Sequence, residues 1–143
     1  MPPDKLLNGI AHNIMDHAVS GLSFLHPHLG KVCRLANIQK ISLDLMKASP
    51  LPPGLPEDKP LALSTKALHK KFLGILEKGG YTLSDISSAT LIFEFPQDSL
   101  EDNHRFSCIS ELITAKGKKY RHEMNTDTYY DPYLKFKSEN HKN

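Results

Sequence analysis

Apolar residues in the first part of the chain recur at the spacing of a helix face. Leu7, Ile10, Ala11, Ile14, Ala18, Gly21, Leu22 and Leu25 predict one long amphipathic helix over about residues 5–25. Pro2-Pro3-Asp4 reads as its start, with Asp4 as the cap. Ala11, Ala18 and Gly21 place small residues on the stripe, where another helix or a second copy of the chain can approach closely. His26-Pro27-His28 then interrupts the pattern. Pro27 suits the first position of a new helix, because its missing N–H has no partner there anyway. Leu29, Val32, Cys33 and Ala36 form that second stripe, which ends near Asn37.

The period then changes. Ile41, Leu43 and Leu45 alternate with Ser42, Asp44 and Met46, the pattern of a half-buried strand. Prolines 50, 52, 53, 56 and 60 crowd the next stretch, which excludes an inner strand and predicts a connector. Ser64 is expected to cap a third helix with Leu68, Phe72, Ile75 and Leu76 buried, and Lys66, Lys70, Lys71 and Lys78 in water. Gly79-Gly80 supplies its left-handed stop. Ala89, Leu91, Phe93 and Phe95 alternate with Thr90, Ile92 and Glu94, a strong strand. Residues 105–115 and 118–124 read as two more, joined by a tight turn at Lys116-Gly117.

The predicted order is α-α-β-α-β-β-β. Short connections between the last three strands imply an antiparallel meander with helices on one face, an α+β fold. One domain is expected over residues 1–124, followed by a tail, 125–143, whose end frays. That tail keeps Tyr129, Tyr130, Tyr133 and Phe136. Aromatics are enriched at interfaces, so the four are candidate partner contacts.

Composition narrows the function classes. A chain of 143 residues can hold one core without metal or disulfide staples. The formal charge of +2 is far from the excess of a dedicated nucleic-acid binder, so only a local patch supports that reading. No window approaches the roughly 18 apolar residues of a membrane span, and no secretory pattern opens the chain. Cys33 and Cys108 form no CxxC pair and are expected to be reduced core thiols of a cytoplasmic protein without a cofactor.

The candidate chemistry centres on histidine. His12, His17, His26 and His28 are half of the eight histidines and crowd one short stretch around Asp16. Imidazole beside carboxylate is raw material for metal binding and acid–base catalysis. Spacing limits the idea. His12 and Asp16 share a helix face, whereas His17 is rotated about 140° from His12. His26 lies about 21 Å from His12 along a straight helix. Metal–nitrogen bonds are about 2 Å long, so the two pairs meet only if the chain folds back near Ser20-Gly21. The run His12 to His17 also departs from HExxH, with histidines five positions apart and no Glu in second place. A solvated His12–Asp16 pair, with His26 and His28 as turn residues, explains the same residues without chemistry. No serine lies in a GxSxG turn, and no glycine loop cradles phosphate.

Three functions follow as expectations. First is a small binding or accessory protein working through protein contacts, its own second copy included. The second is a small-ligand or metal-binding protein, or an enzyme, using the histidine cluster with Tyr120 and His122 as pocket residues. The third is nucleic-acid contact through the basic hairpin Lys116, Lys118, Lys119 and Arg121. Exposed hairpin tips are commonly Lys-rich for solubility alone.

Overall fold

The computed structural model describes residues 4–19, 25–95 and 106–125. Helices α1 (Asp4–Val19) and α2 (Leu25–Ala36) precede strand β1 (Lys40–Asp44), then helix α3 (Lys59–Lys78). A 3-10 turn, Leu83–Asp85, leads into β2 (Ile86–Glu94), β3 (Ser107–Thr114) and β4 (Lys119–Asn125). The strands form one antiparallel sheet in the order β1-β2-β3-β4, so the expected α+β architecture is the one observed.

Among the described residues, one face of the sheet is sealed by the helices. Ile41 and Leu43, Ala89, Leu91 and Phe93, Cys108 and Leu112, and Met124 are all buried and belong to one apolar cluster with the helices. The intervening side chains, among them Ser42, Thr90, Ile92, Ile109, Ile113 and Arg121, are half-buried or exposed. Each fully buried Leu or Phe contributes about 1.5–3 kcal/mol, so this alternation outweighs any single polar contact in choosing the face.

The expected helix over residues 5–25 is not formed as one rod. α1 ends at Val19, and Leu25 is fully buried as the first residue of α2. Ala18 and Leu25 are two turns apart, so their spacing alone does not distinguish one helix from two. α2 thus begins ahead of Pro27. The small-residue stripe is taken up within the chain: Ala11 and Ala18 are completely buried, and Ser110 Oγ donates to the Ala11 carbonyl at 2.8 Å.

Asp58, not Ser64, caps α3. Its backbone is extended, its Oδ1 accepts from Leu61 N at 2.8 Å, and Pro60 fills the first turn, where no N–H is needed. At the other end Gly80 takes φ +82°, and Gly80 N and Tyr81 N donate to the carbonyls of Glu77 and Leu76. This Schellman arrangement is the predicted left-handed stop.

Two strand boundaries move for identifiable reasons. β2 starts at Ile86 rather than Ala89, because a bulge between Ile86 and Ser88 hides the alternation there. The β3–β4 turn has three residues, Ala115-Lys116-Gly117, rather than two. Gly117 N donates to Thr114 O, Gly117 has φ +89°, and Thr114 N donates to Lys118 O. A type I turn closed by a left-handed glycine fits this pattern. The proline connector is fastened to the sheet: Pro50 is buried, and its carbonyl accepts from Asp44 N at 3.0 Å.

The seat of α1 on β3 has a measurable weight. Ser110→Ala is expected to lower stability by about 1 kcal/mol through the lost hydrogen bond. Ala11→Leu has no room and should lower it by about 1–3 kcal/mol. Urea unfolding checks both, with the midpoint falling at an unchanged m-value.

Candidate functional site

Asn8, His12 and Asp16 are spaced four apart, so α1 carries them on one flank, and that flank borders β4. On β4, His122 follows Tyr120 by two residues and therefore points to the same, helix-covered side of the sheet. His122 Nε2 lies 2.8 Å from Asn8 Oδ1 and 3.1 Å from Asn8 O. A backbone carbonyl only accepts, so Nε2 carries the hydrogen and donates it. His12 Nε2 lies 3.3 Å from Asp16 Oδ2. The His12 and His122 rings stand 5.2 Å apart between centroids, tilted by 53°.

The seam therefore joins two imidazoles, a carboxylate and an amide. His12 and Asp16 side chains are 55% and 51% exposed, so water screens their attraction, and the pair adds little to stability. Such a group can accept and donate hydrogen bonds to a polar ligand from solvent. Nearby in sequence, the Tyr120 hydroxyl is buried and lacks a hydrogen-bond partner among the described residues. Lys118 Nζ lies 5.6 Å from the centre of the Tyr120 ring.

The other histidines are placed differently. His17 is half-buried, and its imidazole is held below the ordinary 6.5 by burial first and by the Lys71 charge second, with Asp16 pulling the other way. His28 is half-buried on α2, and the side chain of His26 lies outside the described residues. α1 is described to Val19 and α2 from Leu25, so the roughly 21 Å that a straight helix would set between His12 and His26 runs through residues 20–24, outside the described ones. Among the described residues, no group of three or more His, Cys, Asp or Glu side chains is arranged to hold a metal ion.

The basic hairpin is partly neutralised. Lys119 Nζ sits 3.5 Å from Glu111 Oε2, and Arg121 Nη2 sits 3.3 Å from Glu123 Oε2. Lys116 and Lys118 are exposed at the turn. Tyr129, Tyr130, Tyr133 and Phe136 lie outside the described residues.

Both thiols are buried and unpaired by disulfide. Burial pushes the Cys33 thiol up to about 11 and Cys108 higher still, so neither forms a nucleophilic thiolate near neutral pH. An open groove of about 390 Å³ follows the proline connector, between Leu51, Leu55 and Leu61, and shares no lining residue with the histidine seam.

Residue-type reasoning missed two polar anchors. Asn8 lies one turn before His12, a spacing that signals a shared flank. His69 falls within the buried period Leu61, Thr65, Leu68, Phe72 of α3, and its Nδ1–H donates to Leu45 O at 2.6 Å. No protein-family model matches the chain, and searches of curated proteins and of solved structures yield no match.

The lowered His17 value gives stability a signed pH dependence. Folding favours the neutral ring, so the contribution is present in full above the unfolded-state value near 6.5. It is lost as pH falls through the lower folded-state value. Melting temperature should therefore drop between pH 7.5 and about 5, and His17→Gln should flatten that drop relative to wild type.

Proposed function

We propose that the chain is a small binding or accessory domain working through protein contacts, with a second copy of itself as its first partner. The observation that carries this reading is the side of the sheet that no described helix covers. There Ile92 and Ile109 stand opposite one another on adjacent strands, and Ile113 lies four residues further along β3, beyond Glu111. Around them stand Lys40 paired with Glu94, Lys119 with Glu111 and Arg121 with Glu123. An apolar centre inside a rim of charge is the anatomy of a protein contact surface. Two buried free thiols suit a reducing, cytoplasmic setting. No described helix is long and apolar enough to cross a membrane.

Sedimentation equilibrium over about 1–200 µM tests the reading, because self-association makes the apparent mass rise with concentration. A chain of 16.1 kDa should approach twice that mass at the upper end. A monomer throughout that range counts against it.

A second reading rests on the convergence of His12, Asp16 and His122 beside Asn8, which suits a polar small ligand. Titration with small carboxylic acids and polyols followed by histidine NMR resonances should then shift His12 and His122 together and saturably, with His28 unmoved. Equal, unsaturable shifts of all three would remove this reading.

A further inference from the structure

The self-association read above requires a surface that fits its own copy, and the outer edge of β4 has that property. β4 ends the sheet, with β3 on one side and no described strand on the other. The Thr114 N to Lys118 O bond closes the hairpin and sets the alternation of the ladder beyond it. Tyr120, His122 and Met124 then exchange bonds with Leu112, Ser110 and Cys108. Lys119, Arg121, Glu123 and Asn125 therefore direct their N–H and C=O groups outward, where no backbone bond among the described residues takes them up. The opposite edge of the sheet is treated differently: Pro50 caps Asp44 N on β1, and further prolines follow it. β4 contains neither proline nor bulge.

Charges on an edge strand usually repel a second copy. Here the outward-bonding positions carry both signs, Lys119 and Arg121 positive and Glu123 negative, and the register decides the outcome. Two antiparallel β4 strands can pair only with outward-bonding residues facing each other. One register sets Arg121 against the partner's Arg121, and another sets Glu123 against the partner's Glu123. The register between them sets Arg121 against the partner's Glu123, twice by symmetry, and Lys119 against the partner's Asn125. No like charges stand opposite each other there.

We propose that β4 pairs antiparallel with β4 of a second copy in that middle register, about a two-fold axis passing beside His122, to build one continuous eight-stranded sheet. On the helix-covered side, Tyr120 then faces the partner's Met124, and His122 faces the partner's His122. A two-fold normal to the sheet keeps both α1 helices on the same side, with their Asn8, His12 and Asp16 flanks turned toward each other. The proposal rests on the homodimer reading but seats the self-contact on the β4 edge, and it leaves the Ile92–Ile109 face of the sheet for a further protein partner.

Charge-reversal variants test the register. Arg121→Glu alone puts Glu against the partner's Glu123, and Glu123→Arg alone puts Arg against the partner's Arg121. Each should weaken self-association about tenfold or more in sedimentation, with far-UV circular dichroism unchanged. An equimolar mixture of the two variants should associate again, because both 121–123 pairs in the mixed dimer are then of opposite sign.

His122→Cys gives an independent readout. Facing positions of this type have Cα atoms about 4.5 Å apart, inside the disulfide range. Oxidation should give a covalent dimer on a non-reducing gel. Lys119→Cys should not, because its two copies lie about 20 Å apart along the paired strands. Cys33 and Cys108 are buried and do not compete.

If wild type dimerises while both reversals dimerise equally well and His122→Cys stays uncoupled, the β4 register is wrong and the homodimer stands. If wild type is a monomer throughout, both fall.

Discussion

The distance between α1 and β3 governs much of the molecule. Ala11 is completely buried, and only its methyl-sized side chain lets the helix backbone come within hydrogen-bonding reach of a strand side chain. Ser110 uses that closeness to donate to a mid-helix carbonyl at 2.8 Å. The contact sets both the height of the helix and its rotation. With Leu7, Ile14 and Ala18 turned into the core, periodicity leaves Asn8, His12 and Asp16 on the flank nearest β4. His17 is turned away from it, within the field of Lys71. One small residue on the buried stripe thus determines which histidines meet.

The two polar seams of the helical layer differ in kind. His69 is buried, and its ring nitrogen holds Leu45 O at the end of β1, so this imidazole acts as a fastener between α3 and the sheet. His122 meets Asn8 at the wet margin of α1 and stays open to solvent. A similar contrast separates the two margins of the sheet, where one strand is tied to a buried proline and the other carries charges of both signs. Rigid attachment gathers around β1 and accessible polar groups around β4.

Much of the fold was legible because the period of the apolar residues changes cleanly from helical to alternating at Ile41 and again at Ala89. Where boundaries slipped, a local device had masked the period. Ala18 and Leu25 fall on one helical stripe although they belong to different helices. Asp58 and Ser64 both suit a cap, and only the extended backbone and the Leu61 N contact single out the first. The site was less legible. His12 and Asp16 share a flank by spacing, but their meeting with His122 depends on a strand more than a hundred residues later in the chain. That approach is set by packing, which no local pattern encodes.

β2 carries one residue more than the stretch of β3 it faces between Ile86 and Ser88, and the surplus falls at exposed Ser87. The extra residue reverses side-chain parity, which is how Ile86 and Ala89, an odd number apart, both reach the core. Length, more than chemistry, is therefore what this position encodes. Exchanging Ser87 for another polar residue leaves the ladder intact, whereas deleting it would remove the bulge and straighten the strand, with Ile86 two positions from Ala89 and still on the core side.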